Sequence, residues 1–149
     1  MIENDMRRIL FKGKKEVDDK WVEGSLISTE SNTYLILQSK TRAYVPKETH
    51  TFCSVNCYKV NKKTICQYTG FKDKNRRKIW EKDIVNIADI IGVVVWNQNL
   101  CGFYVRSAEG VYTTLDSLCL SNLKVIGNIV DDPDMLKNRH MDKLDYTFK

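Results

Sequence analysis

The feature that most constrains the fold is a series of five short β-type runs between residues 83 and 130. Each run is rich in β-branched or aromatic side chains, and polar or Gly-containing turns separate several of them. The runs are Asp83–Ile87, Gly92–Trp96, Gly102–Arg106, Val111–Leu115 and Leu123–Val130. Regular spacing of this kind predicts a small antiparallel meander that curls into a barrel.

The remainder of the sequence extends this mainly β prediction. Trp21–Ile27 and Tyr34–Gln38 flank a polar turn and are expected to form an N-terminal β-hairpin. The opening letters of the later runs, Asp-Ile-Val, Gly-Val-Val-Val and Gly-Phe-Tyr-Val, resemble an SH3-like barrel. Pro133 follows two aspartates, which is typical of a helix start. We therefore predict an N-terminal β region over 1–65, an SH3-like barrel over 66–130 and a short C-terminal helix and tail over 131–149.

The five cysteines are an odd number, which argues against a paired disulfide framework and favours reduced thiols. No apolar run approaches the ~20 residues of a membrane-spanning helix, and the N-terminus lacks the layout of a secretory signal. We expect a protein of the cytoplasm without membrane association. Cys101 and Cys119 lie in apolar, strand-like surroundings and are expected to be buried.

One cluster invites a zinc interpretation. His50, Cys53 and Cys57 have the spacing H-x2-C-x3-C, but no C-x2-C pair is present. A fourth ligand would have to come from a distant residue such as Cys66 or His140. We therefore expect neither a metal nor another cofactor.

Positive charge is concentrated in the middle of the chain. Residues 49–83 hold nine basic and three acidic side chains, whereas residues 84–149 hold six and eight. We call residues 72–82 the basic segment; its cationic residues are Lys72, Lys74, Arg76, Arg77, Lys78 and Lys82. This density suits a phosphate-binding surface, with Tyr68, Phe71 and Trp80 as candidates for base stacking. A solvated charged turn with packed aromatics is the alternative interpretation.

Catalytic motifs are absent from the sequence. It contains no P-loop, no dinucleotide-binding fingerprint, no nucleophile elbow and no H-E-x-x-H motif. A strand would place Glu81 and Asp83 on the same face, as a general acid/base pair requires, but residues in such positions more often cap backbone amides. We expect a protein that is not an enzyme and has no catalytic residues.

The segment Gln67–Val85 reads Q-Y-T-G-F-K-D-K-N-R-R-K-I-W-E-K-D-I-V and resembles the motif of the YopX family of phage and prophage proteins, roughly Q-Y-T-G-L-K-D-K-N-G-K-x-I-Y-E-G-D-I-V. The start of the chain, Arg8–Lys14 and then Trp21–Gly24, and its end, Val125–Ile129, are also similar to that family. Two glycines of the motif are replaced, by Arg76 and by Lys82. If the turn needs positive φ at the first of these positions, Arg76 costs about 1 kcal/mol of strain, or the turn changes type.

The resemblance implies a mostly β fold containing an SH3-like part, an origin in a phage or prophage, and self-association, without implying an activity. Apolar surfaces that one small barrel cannot cover also predict a homo-oligomer. Three functions remain open: an interaction or assembly protein that engages a host or phage protein, a nucleic-acid-binding module that uses the basic segment, and a protein that sequesters small phosphorylated signalling molecules.

Overall fold

The computed structural model describes residues 9–38 and 56–139. The chain divides into two compact units, Met1–Gln67 and Tyr68–Lys149. Every strand pairing in the described ranges is antiparallel. The predicted mainly β character is therefore confirmed.

The first unit contains the predicted hairpin. Its strands pair in the order β4-β3-β2-β1-β5, and their bounds are β1 (Phe11–Lys14), β2 (Trp21–Ser28), β3 (Tyr34–Gln38), β4 (Cys57–Lys59) and the start of β5 (Cys66–Lys72). A 3₁₀ helix, Lys62–Thr64, lies between β4 and β5. The apolar side chains of Val22, Ile36 and Val60 are buried together and form the core of this unit, which offsets the entropy lost on ordering the strands.

The second unit contains all five of the predicted β-type runs as strands. After the rest of β5 come β6 (Lys78–Trp80), β7 (Asp83–Ile87), β8 (Ile90–Asn97), β9 (Gly102–Ser107), β10 (Tyr112–Thr114) and β11 (Leu123–Asn128). A short helix, α1 (Ser117–Asn122), precedes β11 and was not predicted. The last five strands pair in the order β10-β9-β8-β7-β11. In the described residues this sheet is open, with β10 and β11 at its edges, so closure into an SH3-like barrel stays a prediction.

Both faces of the five-stranded sheet bury apolar side chains. One face contributes Val85, Val94 and Val105, which pack with other apolar residues that include Ile79 of β6. The opposite face contributes three more aliphatic side chains, which pack against Leu136. Burial on both faces explains why these strands read as nearly continuous apolar runs.

A 3₁₀ helix, Pro133–Arg139, begins at the proline that marked the predicted helix start. It supplies Leu136, which is buried. His140 and the tail beyond it lie outside the described residues, so the continuation of the predicted helix is a prediction still. In the described part of the chain, no helix has the length and apolar composition needed to cross a membrane.

Candidate functional site

The turn between β5 and β6 is organised by a buried carboxylate, Asp73. One of its oxygens accepts hydrogen bonds from the backbone N–H groups of Asn75 and Arg77, both at 2.9 Å. The other oxygen accepts from the N–H of Val125 on β11, at 3.1 Å. Asp73 is only 5% exposed, so backbone N–H groups take the place of water as partners of its carboxylate, and such charge-assisted hydrogen bonds are strong. The chain around it therefore has a defined shape.

The backbone of Arg76 and of Lys82 has the left-handed conformation, with φ of 64° and 68°. These are the two positions at which the motif described above has glycine. L-residues visit this region at an energetic cost because Cβ crowds the neighbouring carbonyl. Hydrogen bonds hold the backbone at both positions: the Arg76 N–H donates to the Asp73 carbonyl at 2.8 Å, and the Lys82 N–H donates to the Val94 carbonyl at 2.7 Å.

The cationic residues of the basic segment occupy this turn and its flanks. Lys72 and Lys78 are register partners on β5 and β6. Lys72, Lys74, Arg76 and Arg77 are exposed, whereas Lys78 and Lys82 are half-buried. The basic segment thus presents its charges on a short hairpin with a defined backbone.

The three predicted stacking residues have different environments. Trp80 is only 5% exposed, and its ring lies 5.4 Å from that of Tyr68 between centroids. The ammonium group of Lys78 lies 5.5 Å from the Trp80 ring centroid. Phe71 is 41% exposed. Of the three, Phe71 is therefore the most accessible ring, whereas little of the Trp80 ring is accessible for stacking on a base.

Lys124 of β11 belongs beside the basic segment, although sequence reasoning did not select it. The carbonyl of Leu123 accepts from the Lys74 N–H at 3.0 Å, and the N–H of Val125 donates to Asp73. Lys124 lies between these two anchor points and is exposed. Its proximity depends on pairing between strands that are distant in the chain, for which local sequence gives no signal.

The second carboxylate of interest, Asp83, is 1% exposed. It accepts from the Trp80 N–H at 2.8 Å and from the Asn128 side-chain amide at 2.9 Å. Asp83 thus joins β7 to β11 and caps a backbone amide, the more common arrangement for a residue in such a position. Glu81 precedes β7 in the turn.

Of the candidate metal ligands, only Cys57 and Cys66 lie among the residues that the structure describes. His50, Cys53 and His140 lie outside the described residues, Cys57 is half-buried in β4, and Cys66 is buried. Among described residues, no group of three or more His, Cys, Asp and Glu side chains could hold a metal ion. The expectation that Cys101 is buried is wrong: this residue is exposed and has a φ of 49° in the β8–β9 turn.

The edge strands of the described residues differ in how well their edges are protected. β4 ends at Lys59, which pairs with Glu16 at 2.9 Å, and β6 begins with Lys78. At the outer edge of β11, the Leu123 carbonyl accepts from the Lys74 N–H and the Val125 N–H donates to Asp73. β10, with the sequence Tyr-Thr-Thr, has no charged residue and directly follows Val111, which is 58% exposed. Of these edges, that of β10 lacks the charges and proline that usually prevent edge-to-edge pairing.

A family model described as YopX protein matches residues 10–137. The chain belongs to the YopX family. The resemblance of the sequence motifs is thereby confirmed. Among solved structures, the chain is similar to the crystal structure of protein EF1440 from Enterococcus faecalis, with a TM-score of 0.63 and 20% sequence identity. That similarity covers 87% of this chain and 98% of EF1440 and concerns the fold alone. No curated protein matches the sequence.

Proposed function

We propose that this YopX-family chain is a phage or prophage accessory protein that acts by binding, without catalysis, in the cytoplasm of a bacterial host. It associates with copies of itself and engages a host or phage protein. The observation that supports this proposal is the uncharged, exposed edge of β10. Such an edge is a template for the strand of another chain.

The hydrogen-bonding pattern of the β9–β10 hairpin indicates which groups of β10 are available. The Ser107 N–H donates to the Val111 carbonyl at 2.9 Å, and Thr113 is opposite Val105. Because bonded positions alternate along an antiparallel ladder, the N–H and C=O groups of Tyr112 and Thr114 point away from β9. Two β10 strands related by a twofold axis at Thr113 would form about four backbone hydrogen bonds.

Charge substitution at Thr113 tests this association, because the axis would place the two Thr113 side chains next to each other. Thr113→Lys and Thr113→Glu are each expected to dissociate the oligomer by like-charge repulsion, and an equimolar mixture is expected to restore it. Light scattering across a range of micromolar concentrations measures both effects. Ser25→Lys is the matched control, since Ser25 is exposed on β2, an interior strand of the first unit.

Two results would contradict this proposal. A parent protein that scatters as a 17.4 kDa particle at every concentration would exclude self-association. An oligomer that persists in both single variants would show that the β10 edge is not its interface.

A second candidate function, nucleic-acid binding, is favoured by the basic segment. Four exposed cationic side chains lie on a hairpin whose backbone is held by Asp73. Each phosphate that such a surface neutralises releases counterions and steepens the salt dependence of binding. Simultaneous substitution of Arg76, Arg77 and Lys78 by Gln is expected to lower the salt slope by up to about 3 units, near 0.9 for each phosphate that is no longer neutralised.

Fluorescence anisotropy of a labelled DNA duplex at two salt concentrations measures this change. The control variant has the same substitution at three basic residues of the first unit, Lys20, Lys62 and Lys63. Identical titrations for the parent and the triple variant at the basic segment would exclude nucleic-acid binding there. Displacement of the duplex by a mononucleotide at micromolar concentration would favour the sequestering of small phosphorylated molecules instead.

A further inference from the structure

Lys124 and the basic segment are held side by side by backbone contacts. The Lys74 N–H bonds to the carbonyl on one side of Lys124, and the Asp73 carboxylate bonds to the N–H on the other side, at 3.0 and 3.1 Å. The neighbouring residues Leu123 and Val125 are buried at 0% and 4% exposure, which anchors the strand at this point. The exposed Lys124 therefore lies at a fixed position beside the hairpin.

The charges of this surface are not neutralised locally. Within residues 9–38 and 56–139, none of five exposed cations, which are Lys72, Lys74, Arg76, Arg77 and Lys124, forms an ion pair. The nearby carboxylate of Asp73 is buried and accepts backbone hydrogen bonds. In contrast, Lys14 and Lys15 of the first unit each pair with an aspartate at 2.9 Å. These five side chains thus carry positive charge that is available to an external anion.

The environments of the aromatic residues indicate which nucleic acid suits this surface. Single-strand binders stack successive bases on exposed aromatic rings. Here the ring of Trp80 is buried and packs on Tyr68. Of the three candidate stacking residues, Tyr68, Phe71 and Trp80, Phe71 is therefore the one with an exposed ring. Charge without a row of stacking rings suits a duplex, whose phosphates are accessible while its bases stay stacked.

We propose that Lys124 and the exposed cations of the basic segment form one site for the sugar–phosphate backbone of double-stranded nucleic acid, bound without regard to base sequence. This inference rests on the second candidate function above. It adds a residue from β11 to the site and specifies the ligand as a duplex.

Lys124→Gln tests the added residue. The probes are a labelled DNA duplex of about 20 base pairs and arbitrary sequence, and one of its single strands, titrated by anisotropy at two salt concentrations. We expect several-fold weaker binding of the duplex and a salt slope that is smaller by about 0.9, the value for a single neutralised phosphate. Lys20→Gln removes the same charge from an exposed position in the first unit and is expected to leave the slope unchanged. A second duplex of scrambled sequence is expected to bind with the same affinity.

The outcomes separate this inference from the function on which it rests. If the triple variant at Arg76, Arg77 and Lys78 loses affinity while Lys124→Gln matches the parent, nucleic-acid binding stands and the role of Lys124 is overturned. If the single strand binds as tightly as the duplex and Phe71→Ala removes that binding, the preference for a duplex is overturned. If neither the triple variant nor Lys124→Gln changes the titration, both proposals fail. A Tm for Lys124→Gln equal to that of the parent protein shows that the variant is folded.

Discussion

The substitution Arg76→Gly tests the left-handed backbone conformation at position 76. Most substitutions destabilise a protein, whereas this one is expected to stabilise it. The φ of Arg76, 64°, lies in the left-handed region, where an L-residue costs about 1–2 kcal/mol. Glycine removes this cost, but its greater freedom in the unfolded chain offsets about 0.5–1 kcal/mol of the gain. The expected increase in the free energy of unfolding is therefore about 0.5–1 kcal/mol, or roughly 1–4 °C in Tm for a chain of this size.

Arg77→Gly is the matched control. Arg77 is also exposed and carries the same charge, but it is not among the residues with positive φ. Glycine at position 77 relieves no strain, keeps the backbone N–H that donates to Asp73, and is expected to destabilise the protein by about 0.5–1 kcal/mol. Urea unfolding followed by circular dichroism compares the two variants. Equal destabilisation by both would refute the left-handed conformation of Arg76 as a source of strain.

Three further predictions follow from other contacts. Asp73→Ala leaves three backbone N–H groups without their acceptor and is expected to cost about 3 kcal/mol or more in urea unfolding; a decrease below about 1 kcal/mol would contradict the arrangement. Gly24→Ala would drive Cβ into the Leu37 carbonyl oxygen, so we expect the β2–β3 amides to lose protection in hydrogen exchange, and unchanged protection would disprove this register. The hydrogen bond from Lys15 lowers the pKa of Asp18, so Lys15→Gln is expected to raise that pKa in an NMR titration. Because the folded pKa of Asp18 is the lower one, this hydrogen bond stabilises the parent above the unfolded pKa, and the stabilisation disappears as pH falls through the folded pKa.

The strands of the second unit were predictable because each is a compact apolar run, and burial on both sheet faces requires such runs. The positive φ at Arg76 and Lys82 was predictable from the glycines of the resembled motif. Glycine in the family motif indicates positive φ at these positions, whereas Arg and Lys by themselves do not, since they seldom adopt this backbone conformation.

Other features depend on tertiary structure and were not predictable. α1 spans only six residues between two strands and has neither an acidic first turn nor a basic last turn, so two of the signals that mark a helix are missing, although Asp116 directly precedes it. Lys124 lies beside the basic segment because its neighbours Leu123 and Val125 bond to Lys74 and Asp73, which are distant in the sequence. Cys101 follows an apolar residue in the sequence, but it lies in a hairpin turn, where side chains are exposed to solvent.

The bond from Val125 to Asp73 spans 52 positions of sequence and has a consequence for biosynthesis. When the basic segment has just left the ribosome, Val125 is not yet available to donate to Asp73, since β11 is synthesised later. Loop closure over that distance precedes the final ordering of the turn. The cationic hairpin would therefore gain its last two anchors only after β11 has been translated, and fragments that end before β11 would lack the bonds that join Lys74 and Asp73 to that strand.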